Sequence, residues 1–107
     1  MSSRYAEAKP YTLPASLDDL VGPVSGTVIL PRYIDWGPHY TYALSDDADL
    51  LVMYERVIRE APTPADLHTY LNAAILRQRW HDLFLPAPAR AGWESRFPEL
   101  AAAAGAA

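Results

Sequence analysis

The stretch "TVILPRYIDWGPHYTYAL", residues 27–44, decides the fold class. Thr27, Val28, Ile29 and Leu30 are β-branched or apolar and predict a strand. Pro31 lacks a backbone N–H, so it argues for a sheet edge or a bulge where it stands. "DWGPH", residues 35–39, carries turn chemistry. "HYTYAL" then alternates, with Tyr40, Tyr42 and Leu44 pointing one way and His39, Thr41 and Ala43 the other. The stretch therefore reads as a β-hairpin with its loop near Asp35–Pro38.

Downstream the period changes to that of a helix. Ser45 or Asp46 opens "DDADLLVMYERVIREA". Asp46, Asp47 and Asp49 suit a positive helix N-terminus, and Arg56 and Arg59 suit the later turns. Leu50, Tyr54, Val57, Ile58 and Ala61 form one stripe, which Leu51 and Met53 widen. Pro62 ends this helix. Thr63 as N-cap, Pro64 at the first helical position and Asp66 two residues later open a second helix, running to about Arg79. Its stripe is Leu67, Tyr70, Leu71, Ala74, Ile75 and Gln78. So short a linker makes the two helices antiparallel neighbours. After the apolar link "LFLP", "APARAGWESRF" reads as a third helix stopped by Pro98. Gly92 weakens it by about 1 kcal/mol relative to Ala, so it must gain by docking Trp93 and Phe97.

Upstream, residues 1–14 are polar and broken by Pro10 and Pro14, which predicts an arm. Ser16 caps a short helix, "SLDDL", that Gly22-Pro23 stops. The tail "AAAAGAA", residues 101–107, has no charge and little to bury, and is expected to fray and be disordered. The expectation is an α+β fold: a small, mainly helical single domain over residues 15–100, with a β-hairpin followed by three helices. Its core should include Val28, Leu30, Leu50, Tyr54, Val57, Ile58, Leu67, Leu71, Ala74, Ile75 and Trp93.

Composition narrows the function. The 107 residues suit one domain with one modest core. A net charge of −4 disfavours a general phosphate-binding surface, and with it nucleic acid as the partner. The absence of cysteine removes disulfides and thiolate metal sites. No apolar run approaches the roughly 20 residues of a membrane span, and the N-terminus lacks the apolar centre of a signal peptide. No membrane is therefore expected, and the expected location is cytoplasmic.

Chemistry-bearing patterns are sparse. His39, His68 and His81 lack the short spacing of metal ligands. The carboxylate pairs Asp18/Asp19 and Asp46/Asp47 stand at helix starts, where capping explains them. Five scattered glycines form no phosphate loop, and no nucleophile has an evident base. The expectation is no enzyme: no catalytic residues, no cofactor and no metal. Residues 46–79 have a helix–turn–helix look, which keeps a small DNA-binding transcriptional regulator open as the alternative. Against it, "PADLHTY" offers base edges one acid and no base, and Arg77 and Arg79 lie at the far end.

The aromatics remain. Trp80, Trp93 and Phe97 are favoured as core. Trp36 lies in a turn beside Gly37 and Pro38, where burial in its own domain is harder. Tyr, Trp and Arg dominate protein interfaces. Arg32, Tyr33, Trp36, Tyr40, Arg77 and Trp80 are the candidate partner contacts, and the edge strand could extend a partner's sheet. A homodimer through the same aromatics is a further option.

"LPRYIDWG", "ADLLVMYERVIREA", "DLHTYLNAAILRQRWHDLFLP" and "ARAGWESRFPEL", taken in this order over about residues 28–100, resemble small bacterial antitoxin-like proteins paired with AbiEii-type nucleotidyltransferase toxins. The resemblance implies a non-catalytic antitoxin in a toxin–antitoxin system, which neutralises a nucleotidyltransferase toxin by direct binding. AbiEi-type antitoxins often add a winged DNA-binding domain. An acidic chain of this length is not expected to hold both parts, so DNA-based autoregulation is not carried over.

Overall fold

Two short strands pair antiparallel: β1 (Thr27–Ile29) and β2 (Thr41–Ala43), with Thr27 opposite Ala43, Val28 opposite Tyr42 and Ile29 opposite Thr41. The central pair, Val28 and Tyr42, faces inward, while Thr27, Ile29 and Thr41 face out. Gly26 precedes β1 at φ +86°, a left-handed conformation that glycine adopts without steric cost, and its carbonyl accepts from Leu44 N–H at 2.9 Å. This is a computed structural model, and it describes residues 11–105.

The hairpin connection is longer than the turn chemistry suggests, running from Leu30 to Tyr40. It folds on itself at Pro31, whose carbonyl accepts from Ile34 N–H at 3.0 Å and Asp35 N–H at 2.9 Å. That turn drives Ile34, fully buried, into the core beside Leu30. The loop is thus anchored from below by an apolar residue that strand periodicity gave no reason to choose.

Helix α1 (Asp47–Glu60) starts where expected: the Asp46 carboxylate accepts from Asp49 N–H and caps it. Its Leu50, Met53, Tyr54, Val57 and Ile58 are buried. Helix α2 (Pro64–Tyr70) is capped by Thr63, whose hydroxyl accepts from Asp66 N–H and donates to the Asp66 carboxylate.

The second predicted helix is in fact two. It breaks at Leu71-Asn72, and α3 (Ala73–Arg79) follows, ending in a 3-10 turn, Trp80–Asp82. A broken helix orphans backbone groups, which need other partners when buried. Here an extended segment, Leu20–Gly22, supplies most of them. Val21 N–H donates to His68 C=O at 3.2 Å, Gly22 N–H to Leu71 C=O at 2.8 Å, and Ala73 N–H to Leu20 C=O at 3.0 Å. The Tyr54 hydroxyl accepts from Asn72 N–H at 2.9 Å, and the Asn72 side chain caps α3 by accepting from Ile75 N–H. Gly22 is required by the fit: a Cβ there would lie 2.7 Å from the Tyr70 carbonyl carbon.

The break resets the helical phase. Leu76 and Trp80 are fully buried, while Ala74 is exposed and Ile75 only partly covered. The core position expected at Ala74 is therefore corrected to Leu76, while Ile75 packs against the core from its edge. The other nine expected core residues are buried.

The arm expected over residues 1–14 falls mostly outside the described residues. Its last part docks, with Pro14 buried and Leu13 packed on the core. Ser16 then caps the 3-10 helix Leu17–Asp19. Helix α4 (Ala87–Arg96) matches the third expected helix. Pro98 stops it and also opens α5 (Pro98–Gly105), which takes in the first five residues of the tail expected to be disordered. Alanine is the best helix former, and the fully buried Leu100 fixes the start of α5. Residues 106–107 lie outside the described residues.

Candidate functional site

The long hairpin loop lies along one flank of α1. Three contacts hold it, spaced from one end to the other. The Tyr40 hydroxyl donates to the Asp49 carboxylate at 2.7 Å, near the start of α1. Two turns on, the Arg56 guanidinium lies 5.6 Å from the centroid of the Trp36 ring, within cation–π range. Past the end of α1, the Tyr33 hydroxyl donates to Asp66 in the first turn of α2 at 2.6 Å. Beneath them the Tyr42 hydroxyl donates to Asp35 at 2.7 Å, and the Tyr40 and Tyr42 rings meet edge-on with centroids 4.7 Å apart.

The outcome is a ledge of aromatic rings that are fixed and still open to solvent. Tyr33 is 57% exposed, Trp36 58% and Tyr40 49%. Polar atoms explain the combination: each phenol spends its hydroxyl on a carboxylate and leaves a ring face outward. These bonds also move the acidities. Donation to Asp66 pushes the Tyr33 phenol up to about 12, and donation to Asp49 pushes Tyr40 up. Burial, and then the bond to Asp35, pushes Tyr42 up to about 12. Asp49 is held below its usual value, first by Ala43 N–H at 2.9 Å and then by the Tyr40 hydroxyl.

The exposed side of α1 continues this surface. Val52 lies opposite the buried Tyr54–Val57 side and is 46% exposed. With Tyr40, Tyr42, Ala48 and Asp49 it lines a shallow open depression of about 250 Å³. On the other flank of the same helix, Glu55 accepts from Phe84 N–H at 2.8 Å, in the link whose Phe84 side chain is 82% exposed. Val52 and Phe84 were not among the sequence candidates. The out-of-stripe position of Val52 could have nominated it; nothing in "LFLP" says which apolar residue faces out.

Of the six candidate contacts, the loop brings together Arg32, Tyr33, Trp36 and Tyr40, all exposed. Arg77 is elsewhere: it joins Asp18 at 3.0 Å and Glu99 at 2.6 Å, tying α3 to the 3-10 helix and to α5. Trp80 is removed from the contacts: its favoured core reading holds. It is fully buried, donates its indole N–H to Glu94 at 2.8 Å, and stacks toward Trp93 at 5.9 Å, so its ring cannot reach a partner.

Other chemistry is sparse. His81 uses Nε2 on the Leu100 carbonyl at 2.7 Å. Among the described residues no group of three or more His, Asp and Glu is placed to hold a metal ion, and no helix is long and apolar enough to cross a membrane. No protein-family model, no curated protein and no solved structure matches the chain.

Proposed function

We propose that this chain is a non-catalytic binding module of the cytoplasm, and that it neutralises a nucleotidyltransferase-type toxin by direct contact through the hairpin ledge. One observation carries the proposal: Tyr33, Trp36 and Tyr40 are large, solvent-exposed and individually tethered. Folding an eleven-residue loop so that its rings stay outside gains little internal burial. The arrangement suits a preorganised surface, because rigid aromatics lose little entropy on binding. The kind of partner is taken from the resemblance, read in the sequence, of residues 28–100 to small antitoxin-like proteins.

The test is co-expression with any nucleotidyltransferase encoded beside this gene. The two chains should co-elute as a complex, and toxicity should be suppressed. The double substitution Arg32→Ala with Trp36→Ala should break the complex; a complex that survives it unchanged rules out the ledge.

A DNA-binding regulator is disfavoured by its own arginines. Arg77 is engaged by Asp18 and Glu99, and Arg79 by Asp47 at 3.0 Å and Asp82 at 2.8 Å. Phosphates would have to displace four carboxylates. A mobility shift on the upstream region that falls steeply with salt and depends on both arginines would reverse this reading. Light scattering on the isolated chain tests the homodimer.

A further inference from the structure

The depression where the ledge meets the start of α1 joins apolar walls to a fixed negative charge. Tyr40, Tyr42, Ala48 and Val52 line it, and the Asp49 carboxylate stands among them. Both Asp49 oxygens are held, Oδ1 by the Tyr40 hydroxyl at 2.7 Å and Oδ2 by Ala43 N–H at 2.9 Å. Those donors are neutral. They fix the carboxylate without cancelling its charge, and they favour its ionised form. Asp46 adds a second carboxylate close by: it caps α1 by accepting from Asp49 N–H, and its charge reaches the Tyr40 phenol. That cap also spends a first-turn amide that could otherwise draw an anion. Neither Asp46 nor Asp49 has a cationic partner among the described residues. Arg79, which does reach this end of α1, is already shared between Asp47 and Asp82.

Resting on the ledge being the contact face proposed above, we infer that this depression receives a basic side chain, arginine or lysine, from the bound protein. The aliphatic stem lies against Ala48 and Val52, and the cation meets the Asp49 carboxylate and the Tyr40 ring. Long basic side chains cover apolar surface with their methylenes while the charged head stays in water, and a tyrosine face attracts a cation. An acidic side chain would face two like charges here. A purely apolar one would cover Asp49 without a counter-charge. The net charge of −4 steers a basic partner surface toward the chain. A site that grips nucleotide phosphates is built from such side chains, so the anchor suits the partner proposed above.

Four peptides test this by NMR titration of the chain. They differ only in one central residue between two leucines: arginine, lysine, citrulline or glutamate. Citrulline keeps the shape of arginine without its charge. Both basic peptides should shift the Ala48 and Val52 resonances saturably, and the citrulline peptide should bind about tenfold more weakly. Asp46→Ser keeps a capping hydroxyl and removes one charge. Combined with Asp49→Asn, it should bring the arginine peptide down to the level of citrulline. Circular dichroism checks that the fold is retained. Asp46→Ser alone, on an exposed side chain, should weaken the arginine peptide about threefold and leave citrulline unchanged. The inference is overturned if the basic peptides leave Ala48 and Val52 unmoved, if citrulline or glutamate binds as tightly, or if the variants keep the wild-type preference. The same variants in the toxin complex separate the two readings. A complex broken by Trp36→Ala but indifferent to Asp46→Ser with Asp49→Asn removes only the basic anchor. One indifferent to Trp36→Ala removes the ledge.

Discussion

Arg56 holds its guanidinium 5.6 Å from the ring centre of Trp36, fixing an indole that remains 58% exposed. A second tryptophan, Trp80, has no exposure at all. The pair sets a tryptophan held outside the core against one wholly inside it.

Trp36→Ala should leave stability within about 0.5 kcal/mol of wild type, because little buried surface is lost. It should weaken partner binding by on the order of 2 kcal/mol, as removal of an interface anchor does. Trp80→Ala should cost about 3–5 kcal/mol through the cavity it leaves. Urea melts of both variants, read beside binding isotherms, check the contrast; equal stability losses would contradict the assignment.

The hydroxyl of Tyr54 is the only side-chain acceptor given to the Asn72 N–H among the described residues. Tyr54→Phe keeps the ring and removes that acceptor at a buried site. The expected loss is about 1–3 kcal/mol. Amide exchange at Asn72 should accelerate beyond what the global destabilisation accounts for, and unchanged protection there would show that another group satisfies it.

Three glycines should respond to alanine with different signs. At Gly22 the added Cβ meets backbone atoms 2.7–2.9 Å away, and overpacking should cost about 1–3 kcal/mol or more. At Gly26, φ +86° is open in space but strained for alanine, at about 1–2 kcal/mol. At Gly92, inside α4, a Cβ meets nothing within 4 Å, and helix propensity should return about 0.8–1 kcal/mol. Thermal melts of the three variants should rank in that order.

Stability should fall at both ends of the pH scale. The phenols of Tyr33, Tyr42 and Tyr54 are raised from 10.0 to about 12, so folding favours their neutral form. That contribution is whole below pH 10 and is lost as pH rises toward 12. Asp47, beside Arg79, and Asp49, beside Ala43 N–H and Tyr40, lie below 3.8 in the fold. Their contribution is whole above that value and is lost as pH falls beneath it. An absorbance titration at the phenolate band should show late-ionising tyrosines in the native protein. Asp49→Asn should flatten the acid limb.

Much of the architecture could be read from local rules. The caps at Ser16, Asp46 and Thr63 follow from side-chain chemistry within a few residues, and the α1 stripe from its own periodicity. Trp36 was recognisable as an outside residue because Gly37-Pro38 leaves a turn no room to bury an indole. What escaped reading depends on residues distant in sequence. The break at Leu71-Asn72 is enforced by Leu20–Gly22, about fifty positions upstream, inside a run of good helix formers. Burial of Ile34 depends on a turn at Pro31, and the hydrogen bond to Asp66 on Tyr33, 33 residues away. Trp80 stood both as a favoured core residue and as a candidate contact, and the choice turns on a helical phase set only after the break.

The wedge of Leu20–Gly22 between α2 and α3 also imposes an order on biosynthesis. Those residues leave the ribosome early, yet their backbone partners run as far as Ala73. Until that later stretch emerges, Leu17 and Leu20 have no berth, and the nascent N-terminal half must wait greasy and unpaired. Closure of this half is therefore coupled to synthesis well beyond Ala73, and the early segment stays open to chaperones and proteases until α3 is free to receive it.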